Sequence, residues 1–116
     1  MLLNLTNHPS VNWPENQKSA AVYAYGSIED MQFPQIDPRW DEDKIEQLAA
    51  EFALKIKEIN PSAVHIMGEM TFTYRLVEKL KDIGLKCLAS TTERIVTEDD
   101  RHNKISVFKF VQFRKY

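Results

Sequence analysis

Residues 63–89 decide the fold: Ala63-Val64-His65-Ile66-Met67, then Gly68-Glu69-Met70-Thr71, then a stripe of Phe72, Leu76, Val77, Leu80 and Ile83, and finally Gly84-Leu85-Lys86-Cys87-Leu88-Ala89. A short, mostly apolar run before a turn reads as a buried strand. Apolar residues three and four apart read as one helix face, Gly84 as its terminator, and 85–89 as the next strand. Two strands joined through a helix lie parallel, with a right-handed crossover.

The same unit recurs on the N-terminal side. Ile45, Leu48, Ala49, Phe52, Ile56 and Ile59 form a second stripe, opened by Asp41 as N-cap with Glu42 and Asp43 at the positive helix end, and closed by Asn60-Pro61. Pro34 to Trp40 holds two prolines and reads as a loop, preceded by a weaker strand within 27–33. Pro14 suits a first helical turn, and Ala20, Ala21, Tyr23 and Ala24 continue that helix to Gly26. Leu2 to Thr6 reads as the first strand, stopped by Asn7-His8-Pro9-Ser10. Beyond residue 89, Ser90-Thr91-Thr92-Glu93 reads as the polar end of the fourth strand. Arg94–Thr97 and Ile105–Phe113 read as two further strands about a polar turn at 98–103. The sum predicts an α/β fold: a small Rossmann-like three-layer sandwich over residues 1–116, one domain, with a mostly parallel sheet and a C-terminal β-hairpin. Ligands in such sheets bind outside the carboxyl ends of the strands, where crossovers leave to opposite faces.

Composition narrows the function classes. The 116 residues carry 15 Lys or Arg against 17 Asp or Glu, a net charge of −2, and 43% are hydrophobic. A chain of this size buries roughly two-thirds of its unfolded surface, enough for one core. With no long basic run it is not expected to coat duplex nucleic acid, and with no apolar stretch near ~20 residues it is not expected to span a membrane. The opening residues lack a basic and then a long apolar region, so export is not expected. One cysteine, Cys87, forms no intramolecular disulfide and no thiolate cluster, which fits a reducing cytoplasm. Residues 29–46 are acid-rich, whereas everything after Asp100 carries only basic charges.

Three loops at strand ends hold the candidate chemistry. In Thr6-Asn7-His8-Pro9-Ser10, Asn7 and Ser10 can hydrogen-bond a phosphate or base edge and His8 can carry a proton, although Asn, Pro and Ser also make ordinary turns. Gly68-Glu69-Met70-Thr71 opens a helix whose N–H groups suit an anion, with Glu69 reaching a ribose hydroxyl; the alternative has Thr71 and Glu69 merely capping that helix. Neither a dinucleotide fingerprint nor a phosphate-loop lysine is present, so no cofactor is expected. Ser90, Thr91 and Thr92 set a row of hydroxyls before Arg94, which either clamps phosphate or pairs with a neighbouring carboxylate. His65 reads as a satisfied core histidine, without the spaced partners of a metal site. Trp13, Trp40 and Phe33 either stack on a base or cover a core edge.

Taken together, Leu3-Asn4-Leu5-Thr6-Asn7-His8-Pro9-Ser10, Met67-Gly68-Glu69-Met70-Thr71-Phe72 and Ser90-Thr91-Thr92-Glu93-Arg94 with the closing hairpin resemble the small stand-alone CRISPR-associated proteins of Rossmann-like fold. These are relatives of the domains that bind cyclic oligoadenylate messengers, some of them ring nucleases. The resemblance implies a homodimer whose strand ends form a symmetric pocket for the ring, in antiviral defence. It also implies a metal-independent transesterification in which the ring's own 2′-hydroxyl attacks the adjacent phosphate, leaving a 2′,3′-cyclic phosphate. On this sequence it places one phosphate on Asn7, His8 and Ser10 and another at Gly68, Glu69, Met70 and Thr71. Ser90, Thr91, Thr92 and Arg94 hold the ribose and developing charge, with His8 and Arg94 as the catalytic pair. Few lysines and the presence of Glu69 and Glu93 equally suit binding without cleavage. Two other classes compete: a non-catalytic interaction module of a defence system, using Trp40, Phe113 and Tyr116, and an enzyme of mononucleotides or nucleosides.

Overall fold

β3 (Ala63–Met67) occupies the middle of the chain's one sheet, between β1 (Leu2–Thr6) and β4 (Cys87–Glu98), with β2 (Ile28–Asp30) at one edge beside β1 and β5 (Lys104–Lys115) at the other beside β4. The computed structural model describes residues 1–116. The first four strands run parallel and β4 and β5 pair antiparallel, so the α/β architecture with a terminal hairpin is the observed one.

Strand alternation divides the layers. Leu3 and Leu5 of β1, Val64 and Ile66 of β3 and Cys87 of β4 face α2 (Glu42–Ile59) and α3 (Met70–Asp82), where Ile45, Ala49, Ile56, Phe72, Leu76 and Leu80 complete the main core. Burying each large side chain there contributes about 1.5–3 kcal/mol. Glu46 of α2 binds Arg75 and Lys79 of α3 at the solvent side of this layer. On the opposite face Leu2, Ala63 and Leu88 meet Trp13 and Ala21, the latter from α1 (Glu15–Tyr25). That second layer is thin, and β1 and β3 present Asn4, Thr6 and His65 to it, all nearly inaccessible.

Local signals set the helix ends. Asp41 accepts a hydrogen bond from the Lys44 N–H at 3.0 Å, and Asn60 closes α2 in the left-handed region at φ 53°. Gly84, at φ 84°, turns the chain out of α3 at little steric cost. Gly68 has another role: the Phe33 ring lies against its α-carbon, in the space a β-carbon would need.

The hairpin departs from the expectation. The fourth strand and the first hairpin strand are one continuous element, Cys87–Glu98, so Ser90-Thr91-Thr92-Glu93-Arg94 is strand and not loop. Nothing in this threonine-rich stretch breaks a strand, and β5 supplies pairing partners from Leu88↔Lys115 to Glu98↔Lys104. β4 pairs with β3 only at Cys87 and Leu88, so the remainder forms a two-stranded arm beyond the sheet. The arm stretches the molecule to 51 Å, with a radius of gyration of 16.1 Å against about 13 Å for a compact chain of this length. Of β5 only Phe110 is buried and Phe113 half-buried; Val107, Phe108 and Val111 are exposed.

Gly68→Ala is expected to cost about 1–3 kcal/mol, because the new methyl group must displace the Phe33 ring in a filled core. Urea denaturation should show a lower midpoint with far-UV circular dichroism unchanged; a midpoint equal to wild type would contradict this packing.

Candidate functional site

The carboxyl ends of β1 and β3, with Ser90 and Thr92 from the first half of β4, surround a cavity of about 480 Å³, roofed on one side by Trp13 and the start of α1. Of the residues expected at a site, Asn7, His8, Gly68, Ser90 and Thr92 line it; Thr6, Asn12, Pro14, Gln17, His65 and Met67 complete the wall with Trp13. No lysine, arginine or carboxylate is among them, and His8 and His65 are its only titratable groups.

Asn4 organises this end of the sheet. Its side-chain nitrogen lies 2.8 Å from Asp30 Oδ1 and 2.9 Å from the His8 carbonyl, two groups that only accept, so that end of the amide must be the NH₂. Oδ1 therefore faces His65 Nδ1 at 2.9 Å and the Thr6 hydroxyl at 3.0 Å. An acceptor at Oδ1 requires Nδ1 of His65 to carry the proton, which leaves Nε2 of the neutral ring as a lone pair. Nε2 has no hydrogen-bond partner and His65 is 2% exposed. Burial, with the nearby His8 adding to it, pulls the His65 pKa down to about 4, so the ring is neutral at physiological pH. Trp13 and Phe113 meet it edge-on at 5.3 and 5.4 Å and hold its plane. The expected satisfied core histidine is thus satisfied at one nitrogen only.

His8 is held by its backbone. The Asn4 amide and the Trp13 indole N–H donate to its carbonyl at 2.9 and 3.0 Å, and its own N–H donates to Thr6 Oγ1 at 3.1 Å. The imidazole is left exposed at the cavity wall, able to contact a ligand or move a proton.

Several predicted ligands are engaged by the chain itself. Ser10 donates its N–H and hydroxyl to Asp30 at 3.0 and 2.8 Å. Desolvation would raise the Asp30 pKa, but bonds from Asn4 and Ser10 outweigh it and hold the carboxyl below its ordinary range. Glu69 occupies the anion site it was expected to border: its carboxylate accepts from the Thr71 N–H at 2.6 Å, the Phe72 N–H at 3.2 Å and the Thr71 hydroxyl. Partial burial opposes ionisation there, but those donors prevail and lower the pKa. The capping alternative therefore describes Glu69 and Thr71, and Met70 points outward, 83% exposed. Thr91 exchanges hydrogen bonds with the Gln112 backbone beside the register shift in the hairpin, and Ser90 donates to Met67 sulfur at 3.1 Å. Arg94 lies on the arm outside the cavity, bonded to Ser106. Trp40 sits under Lys44 and Phe33 in the main core, so of the three aromatics proposed for stacking only Trp13 reaches the cavity. No three His, Cys, Asp or Glu side chains gather in a metal-binding group, and no helix is long and apolar enough to cross a membrane.

The sequence reading passed over Asn4, Gln17 and the ligand-facing side of His65. The available signal was polarity at inward positions of buried strands: Asn4 and His65 are register partners on β1 and β3.

The chain belongs to the family described as Uncharacterized protein MJ1673 family, whose model matches residues 1–114. No curated protein and no solved structure matches it.

Because His65 takes up a proton less readily folded than unfolded, stability should fall as pH drops from ~6.5, the free histidine value, to about 4, and the loss from this group should level off below that. A fall of about 3 kcal/mol is the most this shift allows, at 1.36 kcal/mol per unit. Urea denaturation across that range measures it, and a His65→Gln chain, with no ring to protonate, should show a smaller fall. Asn4→Leu should destabilise the chain by about 3 kcal/mol or more, since Asp30, the His8 carbonyl and His65 Nδ1 all lose a partner. A loss under 1 kcal/mol would argue against the Asn4 network.

Proposed function

We propose that the chain binds a cyclic oligoadenylate or a related small nucleotide in this cavity, as part of an antiviral, CRISPR-associated response. The observation that carries the reading is the cavity itself: beside the carboxyl ends of β1 and β3 and the first half of β4 it holds no lysine, arginine or carboxylate, and hydroxyls, amides and imidazoles line it. Such a wall suits a base and a ribose. A volume near 480 Å³ lies low in the ~300–1,000 Å³ span of small-molecule sites and fits about one nucleotide unit. A ring therefore requires two chains, each supplying half the pocket, and a homodimer is part of the proposal. Cytoplasmic residence fits the same reading, since Cys87 is a free, buried thiol.

Binding has firmer support than cleavage. His8 lines the cavity and carries a group able to move a proton, but no lysine or arginine lines it to stabilise a developing charge. Arg94, the expected clamp, would have to act from the arm of a second chain. The exposed Val96, Val107, Phe108 and Val111 on that arm favour one alternative, an interaction module without ligand. Phe108→Ser probes it, because Phe113 packs on Trp13 and His65 and its loss would disturb the core.

Mass spectrometry of purified protein with cyclic tri-, tetra- and hexa-adenylate in EDTA, beside calorimetric titration, tests the proposal. At least one ring is expected to bind, with Ser90→Ala/Thr92→Ala weakening it about tenfold or more, each lost hydrogen bond being worth about 1 kcal/mol. Linear products ending in a 2′,3′-cyclic phosphate, lost in His8→Ala, would make the chain a ring nuclease. Unchanged rings with tight binding would make it a sensor or sponge. If no ring binds and Phe108→Ser abolishes self-association or partner capture, the interaction module replaces this reading.

A further inference from the structure

A buried acceptor with nothing to accept from is a demand on whatever fills the cavity. Asn4 forces the proton of His65 onto Nδ1, and Trp13 and Phe113 fix the ring plane, so the lone pair at Nε2 is set in direction as well as in chemistry. The ring is 98% buried by accessible area, being 2% exposed, yet lines the cavity, and Nε2 is without a partner. An acceptor desolvated and unpaired costs about 1–3 kcal/mol, a cost recovered when a donor arrives. Gln17, 8% exposed, lines the same cavity with its amide free of hydrogen bonds to the rest of the chain, offering both a donor and an acceptor. Trp13, also buried, supplies an aromatic wall.

We propose that His65 Nε2 is the specificity-determining acceptor of this cavity: it takes a hydrogen bond from the exocyclic amino group of a planar heterocycle, selecting an amino-bearing base over its keto counterpart. A keto oxygen at the position of that amino group would set two acceptors against each other, and the hydrogen bond would be lost. Protonation of His65 would relieve that conflict, but burial holds the ring neutral above about pH 4. Nε2 contributes no charge and transfers no proton; it reads the donor pattern of the base. The inference rests on the nucleotide-binding reading above and extends it to the atom that distinguishes adenine from hypoxanthine.

The test varies the ligand, so that folding is not at issue. Wild-type protein with ¹⁵N-labelled histidine is titrated with cyclic tetra-adenylate and with cyclic tetra-inosinate, while the imidazole nitrogens are followed by NMR. The chain has three histidines, and His65 is assigned from the signal missing in His65→Gln. The expected result is adenylate affinity at least ~10-fold above inosinate, with the Nε2 resonance moving only for adenylate. Equal affinities, or an Nε2 that stays at its free position while adenylate binds, would overturn the proposal and leave nucleotide binding intact; Nε2 would then hold a resident water only. If neither ring binds, the cyclic-oligoadenylate reading fails by itself, and adenosine against inosine at millimolar concentration decides the present one. A shift of Nε2 with adenosine alone supports it, and no shift, or the same shift with both nucleosides, overturns it.

Discussion

The side-chain amide of Asn4 is the joint on which the cavity end of this sheet depends. It stands in an interior strand, 1% exposed, where a parallel sheet covered on both faces ordinarily carries an aliphatic residue. Its two ends are not interchangeable, since acceptors surround one and donors the other. One group thereby ties β1 to β2 through Asp30, anchors the loop after β1 through the His8 carbonyl, and sets the tautomer of His65 on β3. A buried network of this kind stabilises only when every member is paired. Here every member is, except Nε2 of His65.

The chain fills its own anion sites. Glu69 covers the N–H groups at the start of α3, and Ser10 turns its donors to Asp30. Both arrangements steady a turn beside the cavity, and both remove donors that a phosphate would have used. What remains open is hydroxyls, amides, an exposed imidazole and a buried one. The cavity thus offers hydrogen-bonding groups without a lysine, arginine or carboxylate of its own.

The two helical layers are unequal for a related reason. α2 and α3 cover one face with a large apolar cluster joined by the Glu46 ion pairs, whereas α1 covers part of the other above Asn4, Thr6 and His65. Stability resides on the first face and the site on the second. The arm belongs to neither. Two strands alone are marginal in water, and exposed Val96, Val107 and Phe108 leave this pair with apolar surface unburied.

Most of the architecture was legible in the residues, because each signal was local. The stripes of α2 and α3, the Asp41 cap, the Asn60 and Gly84 terminators and the apolar runs of β1 and β3 each act within a few positions, and the α/β order follows from them. The strand ends were legible as a place, and Asn7, His8, Gly68, Ser90 and Thr92 meet there. Which polar groups stay open was not legible. Ser10 is engaged by Asp30 twenty residues away, His65 receives its tautomer from Asn4 sixty-one residues away, and β4 runs on through Arg94 because β5 pairs with it. The sequence by itself determined the elements, their order and the strand ends as a place where polar side chains gather, since these depend on short-range periodicity and capping. Only the tertiary structure decided which donors and acceptors remain for a ligand, since a hydrogen bond is taken up by whichever group the fold brings within about 3 Å, at any separation along the chain.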